Sequence, residues 1–251
     1  MAGGIPSVAV SVARAIAGAA CTMLLLAAAP ARAESRDEFW PELNAYLKLN
    51  ERTRVFLLAA FTQAEKTPGP GGPTRYQDSL YGAHLEYSLT PVLRAGLRDE
   101  DWARNRYLWI RVGYVYTRSN GDAETTDRFR ENRGVFELNG RTLPLAAGLE
   151  VVARARLDAR DRNGTESQRY RIRLGLEKSF DVNGRVVVPY VDAESFYDTR
   201  YNTWNRQLYR VGAEIGIAPA WRIEPYLGLQ KDSRSEPSTT WMFGLALKYY
   251  R

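Results

Sequence analysis

Apolar and polar residues alternate along most of the chain that follows residue 34. The clearest stretch is QRYRIRLGLEK, residues 168–178. Successive side chains of a β-strand point to opposite faces, so this stretch predicts a strand with one apolar and one cationic face. The apolar parity holds Tyr170, Ile172, Leu174 and Leu176, and the other parity holds Arg169, Arg171 and Arg173.

The same alternation returns in further segments of about ten residues, separated by turn residues, which is the pattern of a transmembrane β-barrel. An Asn183-Gly184 pair between two of these segments is a strong hairpin signal. The predicted strands are 42–49, 55–63, 79–89, 107–117, 134–142, 149–158, 168–178, 186–198, 207–217, 222–230 and 240–250.

The number of strands depends on two ambiguous segments. Thr90 followed by Pro91 is typical of a helix start and predicts one short helical turn near 91–104, with a short strand as the alternative. Single-chain bacterial barrels have an even number of strands. We therefore expect an all-β, antiparallel transmembrane β-barrel of about 12 strands, in the range of roughly 10–12. Residues 34–41 or the 91–104 segment would supply the strand beyond the eleven above.

The two faces of these strands differ in charge as well as in hydropathy. Nearly every charged residue within a strand lies on the less apolar parity, and a charge that faces lipid at mid-depth costs about 2–4 kcal/mol. Tyrosines toward the ends of the apolar stripes, such as Tyr87, Tyr114 and Tyr249, suit a membrane interface. A soluble β-sandwich also alternates, and the mean hydropathy of −0.41 favours it. The strand lengths and the aromatic positions favour the barrel.

The first 33 residues have the layout of a secretory signal peptide. An apolar run precedes Ala31-Arg32-Ala33, which matches an A-x-A cleavage site, and the run is too short to span a bilayer as a helix. We expect residues 1–33 to be removed and residues 34–251 to form a single barrel domain. The predicted location is the outer membrane of a Gram-negative bacterium, reached by export and with the help of the barrel-assembly machinery.

Composition limits the partners and cofactors. The only cysteine, Cys21, lies in the signal peptide, and His84 is the only histidine, so a zinc site built by the protein is not expected. We expect no cofactor. Residues 1–33 carry Arg14 and Arg32 but no acid, so the formal net charge of the remaining chain is +4 (6 − 2), which is too mild to indicate nucleic-acid binding. The expected partners are outer-membrane lipid and an anionic small solute.

Several stretches resemble a family of uncharacterised bacterial outer-membrane β-barrels, a domain family of unknown function with a Trp-Pro-Glu motif near the N-terminus. The resemblance covers essentially the whole chain after the signal peptide and implies a fold and a location, but no activity and no catalytic residues. The C-terminus departs from the usual barrel ending, because Arg251 follows Tyr249-Tyr250. The matching stretches are FWPELNAYLKLNERTRVF, RNRYLWIRVGYVY, ARARLDAR with RYRIRLGLEK, VPYVDAESFYD and NRQLYRVG.

The inward parity suggests a function for the lumen. Arginine presents a planar fork that suits carboxylate, sulfate or phosphate. We therefore expect a narrow, porin-like channel or binding barrel for anionic small solutes. The candidate anion-binding residues are Arg154, Arg156, Arg171, Arg173, Arg210 and Arg111, and the candidate counter-charges are Glu137, Glu150, Glu177, Asp192, Glu194 and Glu214.

Two other functions stay open. The acids on the inward parity nearly match the bases, so the barrel could be a closed structural barrel with a salt-bridged lumen that acts through its loops. An outer-membrane lipid hydrolase needs a nucleophile and a base. His84 and Ser88 share the inward parity, but Glu86 lies between them and could simply accept a hydrogen bond from His84. We expect that the protein is not an enzyme.

Overall fold

The structure is a computed structural model, and it describes residues 35–65, 74–89, 106–119, 129–142, 144–235 and 238–251. The predicted signal peptide, the Pro/Gly-rich segment 67–73 and the predicted helical turn at 91–104 lie outside these residues. No helix among the described residues is long and apolar enough to cross a membrane.

The described residues form twelve strands and one short 3₁₀ turn at Ala146–Gly148. The strands are β1 (Ser35–Lys48), β2 (Thr53–Glu65), β3 (Thr74–Ser88), β4 (Leu108–Ser119), β5 (Arg130–Arg141), β6 (Leu149–Arg162), β7 (Thr165–Lys178), β8 (Phe180–Val182), β9 (Arg185–Asp198), β10 (Thr203–Ala218), β11 (Trp221–Asp232) and β12 (Thr239–Tyr250).

Eleven of these strands close into a barrel, and the short β8 pairs only with β9 beside the end of β7. This confirms the predicted all-β barrel and its approximate strand number. Neighbouring strands are antiparallel except at the seam, where β1 and β12 pair in parallel. An odd number of alternating strands makes the first and last strands run in the same direction, so the parallel seam follows from the count of eleven. Residues 35–41 extend β1 and do not form a separate strand.

Several predicted loops are shorter than expected because the strands continue past the apolar alternation. The sequence pattern ends one predicted strand at 158 and begins the next at 168, but β6 and β7 pair through this stretch as far as Arg162 and Thr165. A tight turn at Asn163 and Gly164, with φ of 54° and 81°, joins them.

We call the end of the barrel where β1 begins and the Asn163-Gly164 turn lies the N-terminal rim. The C-terminal rim is the opposite end, where β12 ends and the Asn183-Gly184 turn lies. Tight turns therefore occur at both rims.

The barrel exposes apolar side chains and buries charged ones. On β7, Ile172 and Leu174 are 56% and 59% exposed on the outer face. Inside, the carboxyl-bearing Glu86 and Glu137 are fully buried. A soluble sandwich would show the reverse, because its apolar face would meet a core. This arrangement suits lipid outside and a polar lumen inside.

Aromatic side chains reinforce the parallel seam. The rings of Tyr46 on β1 and Tyr250 on β12 stack at 4.7 Å between centroids. Tyr226 on β11 packs directly over Gly244 on β12, where any Cβ would overlap its ring. The Tyr226 hydroxyl then donates a hydrogen bond of 2.9 Å to Glu42 on β1. A glycine at position 244 therefore lets one side chain span three strands across the closure.

Candidate anion-binding lumen

Glu137 on β5 is the centre of an ionic network that fills the middle of the lumen. Its carboxylate lies 3.1 Å from Arg111 on β4 and 3.0 Å and 3.7 Å from Arg156 and Arg154 on β6. Inward positions of paired strands lie side by side, since Arg111 and Glu137 are register partners, as are Glu137 and Arg156. The alternation of side chains along each strand thus places these charged groups in the lumen, at one level of the barrel.

Glu194 on β9 gathers three of the predicted arginines. Its oxygens lie 2.6 Å from Arg154, 2.8 Å from Arg171 and 3.2 Å from Arg173. Glu194 is only 1% exposed, so these cations satisfy a carboxylate that has left water.

Asp158 closes the network into a ring. It lies 2.6 Å from Arg156 and 3.8 Å from Arg171. These ion pairs connect six residues into a closed ring, in which cations and anions alternate. We call this set the charge ring. Its members are Glu137, Arg154, Glu194, Arg171, Asp158 and Arg156.

Glu86 on β3 extends the network toward the C-terminal rim. It accepts hydrogen bonds from Arg54 and Arg111, and Arg106 lies 3.4 Å away. Among the described residues, seven arginines thus surround the four carboxylates of this network. Arginine is therefore in formal excess at mid-lumen.

The remaining predicted residues pair elsewhere in the lumen. Arg210 binds Asp192 through two hydrogen bonds of 3.1 Å and 2.7 Å. Glu150 and Glu177 lie 3.5 Å and 2.7 Å from Arg141. Glu214 lies 2.6 Å from both Arg222 and Lys248.

Sequence reasoning missed several members of the network. Asp158 and Glu86 were not among the candidate counter-charges, although both lie on the inward parity of their strands and are fully buried. The spacing of Arg154, Arg156 and Asp158 in ARARLD was the available signal, because the three share one face. Arg54 and Arg106 lie at or just before strand starts, where the alternation is too short to assign a face.

Two cavities lie on either side of the charge ring. The N-rim cavity has a volume of about 420 Å³, and the C-rim cavity has a volume of about 190 Å³. Arg171 lines the first and Arg173 lines the second. The ring therefore separates two polar chambers within one lumen.

The N-rim cavity is rich in arginine. Three guanidinium groups surround the buried ring of Phe196, with Arg171, Arg206 and Arg169 at 4.5, 5.8 and 6.0 Å from its centroid. The cations that line this cavity are Arg36, Arg133, Arg162, Arg169, Arg171 and Arg206, and the acids are Glu38, Asp78 and Glu131.

His84 is buried on the inward face but is not placed for catalysis with Ser88. Four residues along a strand separate the two by about 13 Å. Glu86 does not bind His84, since it is held by arginines. The imidazole instead stacks on Phe56 at 5.3 Å between centroids, and its Nδ1 has no hydrogen-bond partner among the described residues. The expected His84–Glu86 hydrogen bond is therefore wrong. Within the described ranges, no group of three or more His, Cys, Asp or Glu residues is placed to hold a metal ion.

Comparison with known proteins gives a weak structural match. No protein-family model and no curated protein matches the chain. Among solved structures, LpxR from Salmonella typhimurium has a TM-score of 0.46 and 12% sequence identity, over 79% of this chain and 83% of that chain. The resemblance to the uncharacterised barrel family with the Trp-Pro-Glu motif stays a prediction.

The expectation that the protein is not an enzyme needs correction. The matched structure, LpxR, is an outer-membrane lipid-modifying enzyme. The finding overturns the exclusion of enzyme activity. A match at 12% identity and a TM-score of 0.46 assigns no reaction and no residue role to this chain.

Proposed function

We propose that this chain is an outer-membrane barrel that binds anionic small solutes in its arginine-rich lumen. In this proposal residues 1–33 direct export and the barrel-assembly machinery inserts the remaining chain. The binding chamber is the N-rim cavity, and the charge ring forms its floor. The function is therefore capture of a solute rather than free diffusion through an open pore.

The observation that carries this proposal is the charge imbalance of the N-rim cavity. Six arginines and three acids line about 420 Å³. Two of the acids are already matched, because Glu131 pairs with Arg133 and Glu38 lies 3.6 Å from Arg36. Around Phe196, Arg169 pairs with Asp198 at 2.9 Å and Arg206 pairs with Asp232 at 2.7 Å. A guanidinium carries five N–H donors, so each of these arginines keeps donors that its aspartate does not use.

The charge ring explains why the chamber has a floor. Each ring arginine contacts two carboxylates, and the ring acids are almost completely buried. Separating one partner from such a buried network costs about 3–5 kcal/mol. Each ring arginine is therefore shared between two internal acids, whereas Arg169 and Arg206 each pair with one. In this proposal the cavity arginines nearer the rim are the ones that meet a solute.

Calorimetric titration of the refolded barrel with inorganic phosphate tests the proposal. The double variant R169Q/R206Q removes two cations beside Phe196, while Asp198 keeps Arg160 at 2.6 Å. We expect phosphate affinity to fall at least about tenfold, as the loss of one charge-assisted hydrogen bond implies. The matched control is R185Q, because Arg185 is exposed at the opposite rim. Equal affinity in the double variant and the control would contradict the proposal.

A closed structural barrel is the second candidate, and the charge ring favours it. A lumen that is neutralised at its middle would stiffen the barrel and leave interactions to the rims. This candidate predicts that phosphate binds to neither the natural barrel nor the R185Q control. The same titration therefore separates the two functions.

A further inference from the structure

Trp109 on β4 is a buried hydrogen-bond donor to which the described residues offer no acceptor. Its side chain lines the C-rim cavity and is 8% exposed. The indole N–H makes no hydrogen bond within the described part of the chain. Indole nitrogen can only donate, so an acceptor that enters the cavity would satisfy this group.

Arg173 on β7 brings a second such donor to the same cavity. One terminal nitrogen of its guanidinium bonds Glu194 at 3.2 Å on the side of the charge ring. Its Nε is buried and has no acceptor among the described residues. A guanidinium also only donates. Arg173 Nε and the indole N–H of Trp109 are therefore two donors on the same cavity that lack an acceptor among the described residues.

The acids of the cavity wall do not accept hydrogen bonds from these two donors, because each acid already accepts from another cation. Asp192 holds Arg210 at 2.7 Å, and Glu177 holds Arg141 at 2.7 Å. Lys248 contacts both remaining acids, Glu214 and Glu224. The wall therefore offers donors to the cavity in excess of acceptors.

We propose that the C-rim cavity binds a small oxoanion, a carboxylate or inorganic phosphate, through Arg173 Nε and the indole N–H of Trp109. The volume of about 190 Å³ admits such an ion with some of its water. The site lies across the charge ring from the N-rim cavity. It rests on the proposed function only in that both require anions to reach the lumen.

Nuclear magnetic resonance of the refolded full chain, with ¹⁵N-labelled tryptophan, reports on each cavity separately. The indole signal of Trp109 is assigned by its loss in W109F, which keeps an aromatic ring. Trp40 lines the N-rim cavity and reports on that chamber. Inorganic phosphate is titrated against sodium chloride at matched ionic strength, and Trp241 on the outer face serves as an internal control.

We expect phosphate to shift the Trp109 signal in a saturable way and to leave Trp241 unmoved. R173Q is expected to weaken this response about tenfold, since one charge-assisted hydrogen bond is lost. R173K keeps the charge but lacks Nε, and should weaken it as well. R206Q, in the other cavity, should leave the Trp109 response unchanged. Heat-modifiable migration on a gel verifies that each variant is folded.

Any of four results would overturn the inference. If Trp109 stays unmoved while the Trp40 signal responds, the C-rim site is wrong and the proposed function stands. If neither signal responds, both fall. A Trp109 shift that sodium chloride reproduces, or that persists unweakened in folded R173Q and R173K, also overturns the C-rim site, because screening and not binding would then be its cause.

Discussion

The hydroxyl of Tyr226 reaches across β12 to bind Glu42 on β1, at 2.9 Å. This hydrogen bond spans the parallel seam, where the first and last strands of the barrel meet. The seam is the one place where closure depends on residues far apart in the chain. Contacts that cross it should therefore have a large effect on the stability of the whole barrel.

Removing the Tyr226 hydroxyl tests this contact. We expect Y226F to lower the free energy of unfolding by about 1.5–3 kcal/mol, the range for a hydrogen bond to a charged group. The measurement is urea unfolding followed by gel mobility. The matched control is Y209F, because Tyr209 is a half-buried tyrosine of the neighbouring β10 for which the structure gives no hydrogen bond. Equal stability of the two variants would show that the seam contact contributes nothing.

Gly244 provides the space that Tyr226 occupies. A Cβ at this position would overlap the tyrosine ring, so G244A should force the ring away from Glu42. We expect a loss of about 1–3 kcal/mol, as for overpacking of a dense interior. G134A is the control, since the nearest atom to a Cβ at Gly134 lies at 3.9 Å. The same unfolding assay compares the two, and the prediction fails if G244A is as stable as G134A.

The charge ring should be sensitive to the loss of one anion. E194Q leaves three arginines around a neutral amide, and removing one partner of a buried ion pair costs about 3–5 kcal/mol. The control is E166Q, because Glu166 is exposed beside the Asn163-Gly164 turn. Unfolding of E194Q at the same urea concentration as E166Q would mean that the arginines find other partners.

The outer face should reject charge. We expect L174R to destabilise the folded barrel in lipid by about 2–4 kcal/mol, because Leu174 is 59% exposed on the apolar exterior. L145R is the control, since Leu145 is also exposed but precedes the 3₁₀ turn at the C-terminal rim. Folding into vesicles, measured by tryptophan fluorescence, compares them. If both variants fold equally well, position 174 does not face lipid.

The sequence predicts the faces of the strands because a period of two assigns each residue to one side. Arg171 and Ile172 are adjacent in the chain, and the structure places one in the lumen and the other outside. This parity also placed Arg154, Arg156 and Glu194 inside the barrel. Parity alone was enough to predict a charged lumen.

Parity could not predict which charges meet. Arg154 and Glu194 are 40 residues apart, and their contact depends on the register of three strands. Sequence also could not show that Trp109 Nε1 and Arg173 Nε find no acceptor among the described residues, because that depends on which cations hold the acids of the cavity wall. The turn at Asn163 was missed because β6 and β7 continue as polar strands beyond the apolar stripe.

The most direct test of an anion-binding lumen is to locate anions within it. Crystals of the refolded barrel soaked in bromide would show bound anions by anomalous diffraction. The account predicts bromide peaks in the N-rim cavity beside Arg169 and Arg206, and in the C-rim cavity beside Trp109 and Arg173. Bromide confined to the outer surface and the rims, with a lumen free of anomalous peaks, would contradict it.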